Sequence, residues 1–122
     1  MHDRRFARTE MLVGREGVAR LAATSVVVFG IGGVGSYATE ALARAGIGRL
    51  TLVDHDVIDA TNINRQIHAL TETVGAYKTE TMVQRIRSIN PACEVHEIRA
   101  FYQPEEAECF FSDHYDYALD AV

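Results

Sequence analysis

The chain has no tryptophan, two prolines and two cysteines in 122 residues, and each scarcity excludes something. It also lacks an apolar run of the roughly 18 or more residues that a membrane-crossing helix requires. Its amino end, Met1-His2-Asp3-Arg4-Arg5, leads into charged sequence rather than an apolar signal segment, so a cytoplasmic protein without a membrane partner is expected. Cys93 and Cys109 stand far apart in neither a zinc nor a disulfide spacing, and they read as packing residues. The histidines (His2, His55, His68, His96 and His114) show no spacing that would ligate zinc. Pro91 and Pro104 mark element boundaries, and repeats are absent, so residues 1–122 read as one domain.

Cations are missing from one end. After Arg99 there is no Lys or Arg, while Glu105, Glu106, Glu108, Asp113, Asp116 and Asp120 follow, and these read as solvated faces. The first 20 residues carry a small positive excess, and the whole chain has a net charge of -5, which argues against broad electrostatic binding of nucleic acid.

Glycine is concentrated where it matters. Val28-Phe-Gly-Ile-Gly-Gly-Val-Gly-Ser36 is a glycine-rich turn between a β-branched run and a helix, and Asp54 stands at the end of the next apolar run. In a nucleotide-binding unit Gly30 allows the tight turn, Gly32 lets backbone approach a phosphate, and Gly35 lets the helix pack close to the strand. Asp54 is placed to accept hydrogen bonds from ribose hydroxyls.

Periodicity places strands over Ser25–Phe29, Arg49–Val53, residues 94–99 and residues 117–119, and helices over residues 33–45, 76–89 and 104–111. Two short helices, interrupted at Gly14 and Gly17, open the chain between Arg5 and Ala23. In the first crossover helix, Val34, Ala38, Ala41, Leu42 and Ala45 fall on the face expected to pack; in the second, Met82, Val83, Ile86 and Ile89 do. Tyr115, Tyr117, Phe110 and Phe111 are expected in the core or at a buried edge. The alternation predicts an α/β fold, a Rossmann-like parallel sheet with flanking helices, preceded by the short amino-terminal helices.

Asp54 opens a polar run, Asp56, Asp59, Asn62, Asn64, Arg65, Gln66 and His68, with Lys78 beyond it at the start of a helix. Cations and amide donors beside a phosphate-binding turn suit a triphosphate, which carries more charge than the pyrophosphate of a dinucleotide. The alternatives are an NAD-dependent oxidoreductase, a non-catalytic nucleotide-binding module, and a merely solvated crossover with Lys78 on a helix surface.

Gly30-Ile-Gly-Gly-Val-Gly35, Asp54-His-Asp56, Asn62-Ile-Asn-Arg65-Gln66 and Gly75-Ala-Tyr-Lys78, in this order, resemble the adenylating domain of the E1-like superfamily. Arg5-Phe-Ala-Arg8-Thr-Glu-Met-Leu12 and Thr61-Asn-Ile-Asn-Arg-Gln-Ile-His-Ala-Leu70 are most similar to its tRNA threonylcarbamoyladenosine dehydratase branch. The resemblance implies an ATP- and Mg²⁺-dependent enzyme that adenylates a carboxylate. Gly30, Gly32, Gly33, Gly35, Asp54, Asp56, Asn62, Arg65, Gln66 and Lys78 would bind the nucleotide, with Arg65 and Lys78 stabilising developing charge. Arg8 matches an arginine that reaches the partner's ATP in a homodimer. A tRNA substrate is implied; activation of a ubiquitin-like or sulfur-carrier protein is the alternative. The magnesium ligand would lie beyond Val122, leaving no metal residue here, while Asp120 is expected to hydrogen-bond within the site. A fragment truncated on its carboxyl side and poorly competent in adenylation is therefore expected.

Overall fold

Three consecutive valines between Ser25 and Phe29 are stiff at χ1 and favour extended backbone, and a run of five buried residues needs both faces covered. In the computed structural model, which describes residues 3–100 and 114–122, this segment is β1, the centre of the sheet. β2 (Arg49–Val53) pairs parallel to it on one side and β4 (Tyr117–Asp120) on the other; β3 (Glu94–Ile98) extends the sheet beyond β2. The order β3-β2-β1-β4 is all parallel, as the alternation predicts.

α1 (Ala7–Ala22), α2 (Gly35–Ala45) and α3 (Lys78–Ile89) complete the described elements. α1 follows a short 3₁₀ turn over Arg4–Phe6 and breaks at Gly14, whose φ of 76° is outside helical space, so the expected pair of short helices is present. Gly17 lies within the second of them. The expected helix over residues 104–111, together with Cys109, Phe110 and Phe111, lies outside the described residues.

The principal core joins Val26 and Val28 to Leu50 and Leu52 and to Met82, Val83 and Ile86 of α3. The opposite sheet face carries Val27, Phe29 and Val53, with Ile98, Ala100 and Tyr115 packed against them. Cys93 is buried with the principal core, and burial pushes its thiol up to about 11, as suits a packing residue. Tyr117 is 67% exposed on the β4 edge, contrary to the expected burial. No described helix is long and apolar enough to cross a membrane.

α2 packs Leu42 of the expected face against the principal core, but its most buried face is rotated from that one. Gly35, Ser36, Thr39, Glu40 and Ala43 are buried, while Val34 is 72% exposed and Ala41 is exposed. The turn before the helix sets this phase. A Cβ on Gly35 would lie 1.7 Å from the Gly30 carbonyl oxygen, so the closest face must be made of small residues rather than the most apolar ones. Glu40 is buried on that face because Arg85 of α3 donates to it from Nε and Nη2, and Arg44 adds a further bond of 3.1 Å. The Arg85 hydrogen bonds hold its carboxyl below the ordinary glutamate range. Glu40 thereby locks α2 to α3 through a paired, hydrogen-bonded charge.

Candidate functional site

The carboxyl ends of parallel strands leave room for a ligand where the chain turns into a helix. Here β1 ends in Gly30, with φ of 90° and its N–H donating to the Val53 carbonyl at 2.9 Å. A Cβ on Gly30 would stand 2.9 Å from the Ala121 carbonyl oxygen, so both backbone angle and packing require glycine there. Gly32 and Gly33 differ. Neither has positive φ, and a Cβ would meet only Gln66 Nε2 at 3.7 Å or Arg65 Cγ at 3.8 Å, which are ordinary contacts. Nothing in the described protein demands glycine at these two positions. A ligand approaching the backbone would demand it, as would the backbone amides of the turn ahead of α2 if an anion is to reach them.

Asp54 follows β2 and ties this turn to the next loop. Its Oδ2 accepts from the Ile31 N–H at 2.7 Å and its Oδ1 from the Asp56 N–H at 2.8 Å. A carboxylate oxygen has capacity for more than one donor, so both oxygens can still receive ribose hydroxyls. The loop then returns: Ile58, 1% exposed, anchors it, with its N–H on the Ala76 carbonyl at 2.8 Å. The Lys78 N–H donates to the Asp56 carbonyl at 3.1 Å, which brings Lys78, the sole lysine of the chain, beside the turn. Its side chain is only 8% exposed, and Nζ lies 3.8 Å from Asp56 Oδ2.

Gly30, Gly32, Asp54, Asp56 and Lys78 together line a cavity of about 220 Å³, which His55 and Val122 also border. Five of the expected nucleotide residues therefore meet. Two more, Gln66 and Arg65, stand beside Gly32 and Gly33, and Asn62 belongs to the loop before them. Gln66 is 6% exposed, and its Oε1 is buried without a hydrogen-bond partner among the described residues. Asn62 accepts from the Asp59 N–H at 2.8 Å and so shapes the loop from within. Arg65 lies along Gly33 with its aliphatic stem, but its guanidinium donates to the Thr61 carbonyl at 3.0 Å and to Asn64 Oδ1 at 2.8 Å. It must rotate to reach a phosphate.

Two expected residues are elsewhere. Asp120 is exposed, does not border the cavity, and accepts from the Val122 N–H at 3.3 Å, which departs from the expected bond within the site. Arg8 belongs to α1, which packs at the amino ends of the strands, where Phe6 contacts Gly46; the glycine turn is at the carboxyl ends. Within one chain Arg8 is remote from the turn. The larger hollow of about 640 Å³ under α1 is also at that far end, and it offers neither a glycine turn nor convergent phosphate donors.

Asp54, His55 and Asp56 place three potential metal-ligand atoms within 4.8 Å of one another. Both Asp54 oxygens already take backbone donors, and Asp56 is held by Lys78 and by His55 Nε2 at 3.1 Å. This donor set does not fit a magnesium ion, which favours carboxylates not engaged by cations.

Sequence reasoning underrated His68, which is 1% exposed beneath the turn, because a histidine in a polar run carries no burial signal.

The ThiF family pattern matches residues 6–122. The tRNA threonylcarbamoyladenosine dehydratase of Bacillus subtilis is 52% identical over 116 residues, covering 95% of this chain and 46% of the relative. A crystal structure of the E. coli tRNA N6-threonylcarbamoyladenosine dehydratase in complex with ATP superposes with a TM-score of 0.95 at 47% identity, over 97% of this chain and 49% of that one. The uba4 adenylyltransferase and sulfurtransferase of Pyricularia oryzae is 37% identical over 97% of this chain and 24% of its own length. The chain spans about half the length of the dehydratases it matches.

Proposed function

Because the chain belongs to the ThiF family, we propose that it forms the ATP-binding part of an adenylating enzyme whose substrate is threonylcarbamoyladenosine in tRNA. The observation that carries this reading is the pair Gly32 and Gly33: glycines that the described packing does not require, with the Gln66 amide nitrogen beside the first, the Arg65 stem beside the second, and Gly32 sharing its cavity with Lys78. Backbone N–H groups on one side and a desolvated ammonium on the other make a cradle for phosphates. A dinucleotide would leave Lys78 without a task.

In this reading Asp54 holds the ribose and the turn holds the phosphates. The threonine carboxylate of the modified nucleoside attacks the α-phosphorus, and the bond to pyrophosphate breaks, giving an acyl-adenylate. Attack on the acyl carbon from within the threonylcarbamoyl group then closes a ring and releases AMP, so the nucleoside loses one water overall. Anion repulsion is the obstacle, and cations fixed in a water-poor site reduce it without reorganising. Lys78 is already so fixed; Arg65 joins after leaving Thr61 and Asn64. Magnesium, when bound, would neutralise phosphate charge, and no residue described here is assigned to it.

The reading includes a homodimer. Arg8 makes no ion pair among the described residues, and α1 buries none of its own residues while exposing Met11 at 76% and Leu12 at 88%. Such a helix suits an interface in which Arg8 serves the partner's nucleotide.

The test is direct: a protein carrying this chain at the full length of its dehydratase relatives is incubated with ATP, Mg²⁺ and tRNA bearing threonylcarbamoyladenosine, and the nucleosides are weighed by mass spectrometry. Loss of one water with formation of AMP is expected. The 37% identity to uba4 supports a second reading, activation of a carrier protein's carboxyl terminus. Adenylation of a small protein ending in Gly-Gly, with the tRNA unchanged, would favour that reading instead.

A further inference from the structure

His68 Nε2 lies 2.8 Å from the Ile31 carbonyl oxygen. A carbonyl can only accept, so Nε2 carries the hydrogen and donates. The other ring nitrogen, Nδ1, is then the bare one, and it is buried without a partner among the described residues. The charged groups facing the ring are Lys78 of α3 and Asp54 at the end of β2, but burial acts most strongly and holds the imidazole below its ordinary range, in the neutral form. His68 is itself fixed from behind, its carbonyl accepting from Thr73 Oγ1 at 2.7 Å.

The Ile31 carbonyl and the Gly32 N–H belong to one planar, trans peptide, so they point in opposite directions. With the carbonyl drawn inward to His68, the Gly32 N–H is aimed outward, on the side where Gly32 borders the cavity. The preceding peptide is held separately, since the Ile31 N–H donates to Asp54 at 2.7 Å. We propose that His68 is a positioning residue for nucleotide binding: it orients the Ile31–Gly32 peptide so that the Gly32 N–H faces the phosphates. This inference rests on the reading of the glycine turn as the ATP site.

The experiment separates the two claims. His68→Leu removes the donor, while His68→Gln restores an N–H at similar reach. In the protein without nucleotide, His68→Leu is expected to shift the carbonyl-carbon resonance of Ile31, with His68→Gln near wild type, because only the leucine variant loses the donor to that carbonyl. ATP titration is expected to follow the same order, a Kd about tenfold weaker in the leucine variant and near wild type in the glutamine variant. Imidazole nitrogen chemical shifts of the wild-type protein are expected to show the proton on Nε2, a readout that needs no variant to fold. A proton on Nδ1, an unchanged Ile31 carbonyl resonance and Kd in His68→Leu, or a glutamine variant as impaired as the leucine one would each overturn the assignment. If wild type binds no ATP at all, the nucleotide reading fails, while the carbonyl resonance and tautomer still judge whether His68 holds the peptide.

Discussion

Gly35→Ala is expected to destabilise the protein by at least about 4 kcal/mol, beyond the range of most single substitutions. The added Cβ would lie 1.7 Å from the Gly30 carbonyl oxygen and 3.4 Å from the Ala121 side chain. No rotamer relieves a backbone clash, so either α2 lifts from β1 or the turn opens. For a domain of this size a loss of about 4 kcal/mol lowers the unfolding midpoint by roughly 10 to 20 °C. Thermal unfolding followed by circular dichroism measures it, and a shift of only a degree or two would mean that α2 does not pack on the turn as described.

The second large effect is on chemistry rather than stability. Lys78→Ala is expected to reduce acyl-adenylate formation about 100-fold or more, the scale on which a fixed charge in a desolvated site acts. Asp56, its partner at 3.8 Å, is half exposed and can be solvated once the ammonium is gone, so the unfolding midpoint should move little. ATP–pyrophosphate exchange with the modified tRNA reports the step. A variant that keeps exchange within about threefold of wild type would remove Lys78 from the site, because a contact to the reacting phosphates could not be worth so little.

β1 was legible because burial on both faces writes itself as an apolar run, Val26 to Phe29; β2 was legible from Leu50, Leu52 and Val53, although Thr51 interrupts them. The nucleotide turn was legible for a different reason, since its glycines answer to backbone geometry. What they answer to is not uniform: Gly30 and Gly35 serve the fold, and Gly32 and Gly33 are free to serve a ligand.

α2 was legible at Leu42, which meets the core, but not at its closest face, because the tight approach to Gly30 selects Gly35, Ser36 and Thr39, residues that a hydrophobic pattern passes over. Glu40 was invisible for the same reason. Its partner Arg85 is 45 residues away, and no local pattern announces a pair held between two helices. The Asp54–Ile31 and His68–Ile31 bonds are likewise long-range, joining three segments that only the parallel topology brings together. That Gly30, Gly32, Asp54, Asp56 and Lys78 would meet followed from the motif order; whether Arg65 and Asn62 already face the cavity did not, because their loop closes on itself through side-chain bonds.

The central claim is that the Gly30–Gly35 turn is a phosphate cradle and that Gly32 is glycine for the ligand's sake. Calorimetric titration with ATP of wild type beside Gly32→Ala tests it most directly, because the methyl group has room in the protein and would stand only where phosphates are to lie. The account predicts that wild type binds ATP, that the variant keeps the wild-type unfolding midpoint, and that its Kd weakens about tenfold or more. Equal affinity in the two proteins would contradict it.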